Sequence, residues 1–352
     1  MNVNKYDERR GTFLKMVSIK TIAEQCGMSI ATVSKALNNH TDVSSETKEL
    51  VLKTAKKLGY LPNAQARALK TNRTYNIGVL LDDKAKSGLT HAFFSSVIDD
   101  FRVEATNYGY DITLVNIISS QIGTTKLNCY EHCKYRNFDG VLATCVDFYS
   151  SEIRELLDSE IPIISIDFHR EGCYSVSSDN SVGLRKIVEY VYNCGHEKIA
   201  YIYGDSSQVT TMRLNAYLET MKNLGLQVHP DYLRQARYVD TELIEKLMED
   251  MLNLPDPPTC VILPDDIAAI GAFNAVKKMG KKIPDDVSVV GYDGIEMVQL
   301  IKPCLTTYCQ NAHEIGRAAA EKLVKLIRKE NVDELDTVVS GHLIKGNTVK
   351  NI

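Results

Sequence analysis

At 352 residues the chain is long enough for two or three folding units rather than one. Its 44% hydrophobic and 24% charged residues are those of an ordinary soluble globular protein. No run of about 18 apolar residues is present, which excludes a membrane-spanning helix of the usual kind, and the N-terminal MNVNKYDERR lacks the apolar core of a signal peptide. The expected location is the cytoplasm.

Net charge is −4, an unpromising balance for binding nucleic acid, but the charges are unevenly spread. Residues 1–75 hold 13 Lys and Arg against 6 Asp and Glu, whereas the remainder holds 28 against 39. A cationic head on an anionic body attracts phosphate locally while the body stays soluble. Among the nine cysteines, Cys129 and Cys133 have helical spacing, yet no second pair or histidine accompanies them at zinc-site spacing. Free thiols are expected, with no metal, no disulfide and no cofactor.

The first regular pattern follows Met16. Ser18 is a good N-cap for a helix carrying Ile19, Ile22, Ala23 and Cys26, and Gly27 supplies the left-handed stop. Ser29 then caps IATVSKALN, with Val33 and Leu37 facing inward, and Ser44 caps SETKELVLKTAKKLG, with Leu50, Val51, Ala55 and Leu58 as its inward stripe. Two short helices joined by a glycine-containing turn form a helix-turn-helix. Ile30, Ala31, Thr32 and Lys35 are left on the outer face of the second, where a groove suits them better than water. A plain three-helix bundle with a solvated basic face would not account for them.

The stretch SIKTIAEQCGMSIATVSKALNNHTDVSSETKELVLKTAKKLGYLPNAQARALKTNRTYNIGVLL resembles the DNA-binding domain and hinge of the lactose-repressor (LacI) family, departing at Met28. The resemblance implies a DNA-binding domain over 16–61 and puts Ile30, Ala31 and Lys35 at base-reading positions. Ile30 and Ala31 make apolar contacts such as those with thymine methyls, and Lys35 donates to guanine. Ser29, Thr32 and Ser34 are assigned to phosphate, which positions without reading; Asn38 serves either role, and Ser18 is counted among the DNA-binding residues. The segment 62–75 matches the family hinge, a helix too short to be stable alone that folds on operator DNA. There Asn63, Ala66 and Arg67 face DNA, and Leu69 matches the leucine that wedges the minor groove. Family members begin near Met16, so residues 1–15 are expected to be a disordered extension and Met16 the natural start.

From residue 76 the chain alternates apolar β-type runs with amphipathic helices. NIGVLL, YDITLVNI, DGVLAT, IPIISID, KIAYIYG, TCVILP and VSVVGYD are the strand candidates. FFSSVIDDFRVEATNYG, SVGLRKIVEYVYNCG, IGAFNAVKKMG and AHEIGRAAAEKLVKLIRK are helical. The fold class is α/β, with parallel sheets covered by helices on both faces, and a restart near residue 180 implies two lobes. Ligands of such sheets bind beyond the carboxyl ends of the strands. Asp82, Asp147, Asp167, Asp205, Asp265, Asp266 and Asp293 end strands there, although an aspartate in that place also serves as a helix cap.

The body resembles the family's effector domain, a two-lobed domain like the periplasmic sugar-binding proteins, most specifically in GYDGIEMVQLIKPCLTTY and LPDDIAAIGAFNAV. It implies a first lobe of about 76–178 and 307–337 and a second of about 179–306 and 338–352. It also implies effector contacts from Phe93, Phe94, Asp167, Phe168, Ser207, Val209, Arg213, Tyr238, Asp265 and Asp293. Carboxylates accepting from hydroxyls, an arginine donor and aromatic faces suit a sugar; a purine or a protein corepressor are the alternatives. The resemblance further implies a cytoplasmic, nucleoid-associated homodimeric repressor on a near-palindromic operator. GHLIKGNTVKNI departs from the family's usual C-terminus, and no leucine-heptad tail follows, which favours a dimer over a tetramer. No hydrolase, P-loop or metal motif supports an enzyme, and a sugar-transport protein fits neither the DNA head nor the missing signal peptide.

Overall fold

The computed structural model describes residues 17–61, 73–82, 88–115 and 125–352, with Lys5–Asp7, Thr12–Leu14, Ala68 and Ser120–Ile122. The chain divides into two units, Met1–Thr74 and Tyr75–Ile352. In the first, β1 (Lys5–Asp7) and β2 (Thr12–Leu14) pair antiparallel, so the extension expected to be disordered contains regular structure.

Three helices follow: α1 (Ile19–Cys26), α2 (Ile30–Leu37) and α3 (Ser45–Leu58). Ser18, Ser29 and Ser44 each accept a hydrogen bond from the backbone N–H three residues on, satisfying donors that the first helical turn leaves free. Gly27, at φ +63°, turns the chain from α1 toward α2, a conformation that costs a side-chain-bearing residue more. Ile22, Ala23, Val33, Ala36, Val51 and Ala55 form the buried core. Leu50 is 47% exposed and not part of the inward stripe. The period of 3.6 aligns Val51, Ala55 and Leu58, and sets Leu50 about 100° away from Val51. Asn63, Ala66, Arg67 and Leu69 lie outside the described residues.

The second unit holds two six-stranded sheets. The first runs β15 (Asp336–Val339), β9 (Tyr174–Ser178), β8 (Ile163–Ile166), β7 (Gly140–Thr144), β3 (Asn76–Leu81), β4 (Asp111–Val115), with every pairing parallel. The second runs β11 (Leu233–Gln235), β10 (Ile199–Tyr203), β12 (Cys260–Ile262), β13 (Ser288–Asp293), β14 (Thr306–Cys309), β16 (His342–Ile344), parallel except for the last pair. Strands β5 (Ser120–Ile122) and β6 (Thr125–Leu127) form a separate hairpin.

The helices of this unit, in chain order, are α4 (Ala92–Asn107), α5 (Cys129–Arg136), α6 (Ser151–Leu157), α7 (Asn180–Asn193), α8 (Gln208–Asn223), α9 (Thr241–Leu252), α10 (Ala268–Lys278), α11 (Glu296–Leu300) and α12 (Ala312–Arg328). Helix α12 returns to the first lobe and packs on α4. There a Cβ on Gly316 would stand 2.4 Å from the Val97 carbonyl, so this approach requires glycine.

All seven strand candidates contain strands of these two sheets. The chain passes between the lobes three times, near 178–180, 309–312 and 339–342. Strand β14 belongs to the second sheet and β15 to the first, so the last two passages lie a few residues beyond 306 and 337. Parallel pairing of Val290–Asp293 with Thr306–Cys309, and of Ser175–Ser178 with Asp336–Val339, sets those limits.

Ile22→Ala removes the largest type of side chain in the small helical core and is expected to cost about 2–5 kcal/mol. Hydrogen exchange on the full chain should then show at least tenfold faster exchange for amides in α1–α3, with β10 unchanged. Loss of protection in both units together would contradict their separate cores.

Candidate functional site

On α2 the side chains divide as the helical period dictates. Val33 and Ala36 are buried, while Ile30, Ala31, Lys35 and Asn38 are exposed, Ile30 at 53%. An isoleucine so exposed on a capped helix has an apolar surface free for a groove. Ser29 accepts from Thr32 N–H at 3.0 Å, and its hydroxyl lies 2.8 Å from that of Thr32. Ser18 accepts from Thr21 N–H at 3.3 Å, and Thr21 accepts in return from Ser18 N–H. Half-buried Ser34 offers its carbonyl to the Asn38 amide at 2.7 Å. Lys35 forms an ion pair with Asp42, whose carboxyl its ammonium holds below the usual carboxylate range.

In the second unit a cavity of about 190 Å³ lies beyond the carboxyl ends of the strands, with walls from both lobes. Phe93, Phe94, Asp167, Phe168, Ser207, Val209, Arg213, Tyr238 and Asp293 all line it. Phe93 and Phe94 open α4 and meet edge to face at 5.1 Å, with His91 4.7 Å from Phe94. On a second wall Phe168 stacks on Phe148 at 4.2 Å and 3°, and Tyr149 meets Phe168 edge-on. Aromatic pairs of these geometries are rigid as well as apolar. From the second lobe, Ser207 caps α8, and the Tyr238 hydroxyl lies 2.8 Å from that of Thr210.

Arg213 is 4% exposed. Its Nε donates to Asn180 Oδ1 at 2.9 Å, and its guanidinium carbon lies 3.6 Å from the centre of the Tyr292 ring. Burial opposes its charge, while the ring face of Tyr292 and the neighbouring Asp293 carboxyl favour it, and the balance is upward. Asp167 Oδ1 accepts from Ser178 N–H at 2.9 Å, and Asp293 Oδ1 from the Gln310 amide at 2.7 Å. Lost solvation pushes both carboxyls up, Asp293 to about 7, against the pull of Arg213. Cys145, Asp167 and Asp293, each at the end of a strand and each lining the cavity, have φ of +51°, +55° and +119°. Such backbone costs about 1–3 kcal/mol per residue and persists where the surroundings enforce it.

Asp265 does not line the cavity. Its oxygens accept from Val239 N–H and Ala268 N–H, both at 2.9 Å, so it caps α10 and holds the loop that presents Tyr238. Val239 needs that hold, since a β-branched residue at φ +63° is strained. Asp266 is likewise occupied by Gly294 N–H, Ile295 N–H and the Thr307 hydroxyl. Asp82, Asp147 and Asp205 do line the cavity. Phe148, Tyr149, His91, Gln208 and Gln310 line the cavity as well, beyond the residues that the family resemblance implies. For the first two the signal was available, because they directly follow Asp147 at the end of β7.

A trihelical head with an apolar and cationic outer helix, in one chain with a two-lobed body enclosing a polar and aromatic cavity, defines a ligand-responsive DNA-binding regulator of transcription. Residues 18–63 match the bacterial regulatory proteins of the lacI family, and residues 188–349 match the periplasmic binding protein-like domain. The HTH-type transcriptional repressor CytR of Escherichia coli (strain K12) is 31% identical over 335 residues, covering 94% of this chain and 96% of CytR. The HTH-type transcriptional repressor PurR of Vibrio vulnificus (strain CMCP6) is 30% identical over 346 residues, covering 96% of this chain and all of PurR. The chain belongs to the LacI family. Its relatives are repressors of transcription rather than enzymes. The lac repressor dimer bound to operator and the anti-inducer ONPF has the same fold, with a TM-score of 0.81 at 24% identity over 96% of this chain and all of that one. Among the described residues no helix is long and apolar enough to cross a membrane.

Asp293 yields a prediction about pH. A carboxyl whose folded pKa lies near 7, above its ordinary 3.8, keeps a proton that the unfolded chain has released. Over roughly pH 4–7 it therefore makes the fold less stable as pH rises. Asp293→Asn is expected to gain on the wild type in unfolding midpoint as pH is raised through that window. A constant difference between the two proteins would show that Asp293 does not titrate there.

Proposed function

We propose that this protein is a homodimeric repressor that binds a near-palindromic operator and is controlled by an uncharged sugar. The observation that carries the effector reading is the composition of the cavity. Five aspartates, Asp82, Asp147, Asp167, Asp205 and Asp293, line it with one arginine, beside two aromatic clusters. Carboxylates accept hydrogen bonds, so they favour a ligand rich in donors, and their excess over Arg213, even with Asp293 pushed up to about 7, disfavours an anion. Aromatic faces beside them suit the C–H surface of a sugar ring. The Phe148–Phe168 stack already uses one face of each ring on the other, which leaves less flat surface for a purine.

On DNA, Ile30 and Ala31 make apolar base contacts and Lys35 exchanges Asp42 for guanine, while Ser18, Ser29, Thr32 and Ser34 hold phosphates and Asn38 binds beside them. The hinge residues Asn63, Ala66, Arg67 and Leu69 fold against the minor groove, and the site of action is the cytoplasmic nucleoid. Exposed Val103, Leu114 and Leu300, the last at 82%, supply apolar surface that pairing of two copies would cover, and the lac repressor solved with operator is a dimer. The expected extent of the domains is 16–61 for the head, 62–75 for the hinge and 76–352 for the effector body.

Thermal unfolding with D-ribose, D-glucose, D-cellobiose, D-glucuronate, D-glucose 6-phosphate and adenine tests the effector class. A neutral sugar at about 100 times its Kd should stabilise the body by about 2.7 kcal/mol. The anions should shift it far less. A shift by the uronate or adenine alone overturns the sugar assignment. Asp293→Ala is expected to lose the sugar shift and keep operator binding; a variant that still responds would remove Asp293 from the effector contacts.

For the hinge, Leu69→Ala should weaken binding to an operator selected from randomised DNA by at least tenfold, with both units unfolding as in the wild type. Equal affinities would show that Leu69 does not wedge the groove.

A further inference from the structure

Asn180 is the first residue of α7, just past the chain's first passage between the lobes, and it is 1% exposed. It does not line the cavity, yet it touches two residues that do, one on each lobe. Its Nδ2 donates to Asp167 Oδ1 at 3.1 Å and to the Ser178 carbonyl at 3.2 Å. Its Oδ1 accepts from Arg213 Nε at 2.9 Å. The amide can face only one way. Arg213 has donors alone, whereas the carboxylate and the carbonyl have acceptors alone, so reversing Asn180 would break all three contacts.

This wiring sets the aim of Arg213. Nε is committed to Asn180, Nη1 reaches the Pro264 carbonyl at 3.4 Å, and one face of the guanidinium lies on Tyr292. Arg213 also lines the cavity, so its remaining N–H groups are the ones left for a ligand there. The same side chain steadies Asp167, which belongs to the loop after β8 in the other lobe. We propose that Asn180 is a positioning residue for effector recognition, joining the Asp167 carboxylate of one lobe to the Arg213 guanidinium of the other across their covalent crossing. The proposal rests on the cavity being the effector site.

The test begins without any ligand, on the 15N-labelled full chain. The Arg213 Nε–H signal, assigned by its loss in Arg213→Lys, reports one contact. The Ser178 amide, which donates to Asp167 Oδ1, reports the other. In Asn180→Ala both protons should exchange with solvent at least tenfold faster. Asn180→Asp keeps the acceptor for Arg213 but sets a carboxylate against Asp167, so the Nε–H signal should stay protected while the Ser178 amide does not. Should the alanine variant fail to fold, the aspartate variant alone carries this contrast. Equal protection of both protons in every variant, or loss of the Nε–H signal in Asn180→Asp, would falsify the proposal. Titration with D-ribose, D-glucose and D-cellobiose then reads the effect on recognition: a sugar that binds the wild type should bind Asn180→Ala at least tenfold more weakly, and equal affinity overturns the positioning role. A panel without any binder counts against the sugar assignment and leaves the two proton signals to decide on Asn180.

Discussion

The cavity is organised around one guanidinium taken out of water. Removing such an ion from solvent costs several kcal/mol after relaxation, and only well-placed countercharges and hydrogen bonds offset that cost. Arg213 has both: an acceptor at Nε, a ring beneath its face, and Asp167 and Asp293 nearby. Each carboxylate reaches its place by ending a strand in a backbone conformation that L residues seldom adopt. Local strain at Asp167 and Asp293 and the buried charge of Arg213 are therefore parts of one arrangement. Loss of Arg213 would leave two carboxyls, already pushed up by lost solvation, without the cation that opposes the shift.

The same arrangement bears on how the lobes are joined. Asp179, immediately before Asn180, accepts from the Tyr308 hydroxyl at 3.0 Å and from Gly341 N–H at 3.1 Å. It thus ties the first interlobe passage to the third, and to the end of the strand that leads into the second. Near the cavity mouth, Gln208 at the start of α8 pairs with both backbone groups of His169, at 2.6 and 3.1 Å. The passages are covalent, and the first is buried, whereas this pair is exposed and consists of two neutral hydrogen bonds, each contributing about 1 kcal/mol net.

How much of this was legible in the sequence depends on whether the determinant is local. The three serine caps and Gly27 could be read directly, because a cap needs only its own next three residues. Strands β3, β7, β8, β10, β12 and β13 were legible as apolar runs. YSVSS and TTYC were not, since the buried Ser175, Ser178, Thr306 and Thr307 give no apolar signal. These residues are buried because both faces of the sheets are covered, and three of the four hydroxyls are hydrogen-bonded: Ser175 donates to Asp336, Thr306 accepts from Gly346 N–H, and Thr307 donates to Asp266. Asp265 shows the limit most sharply. After a strand, a carboxylate facing a ligand and one capping the next helix have the same sequence context. Which role applies depends on the direction of the side chain at the strand end, and that is set by tertiary packing.

The head presents the opposite case, with local structure well specified and little tertiary stabilisation. Six buried side chains, three of them alanine, form its core among the described residues, with half-buried apolar residues such as Ile19, Leu37 and Leu58 packed against it, so the core is small and the caps add to it. Within that small bundle Ile30 is more than half exposed and Lys35 is already paired with Asp42. An exposed apolar residue adds nothing to the unbound fold, and an exposed, solvent-screened ion pair adds little. Neither arrangement is explained by stability alone. Both fit a surface shaped for a partner that covers Ile30 and draws the ammonium from Asp42, a carboxylate that would otherwise repel phosphate.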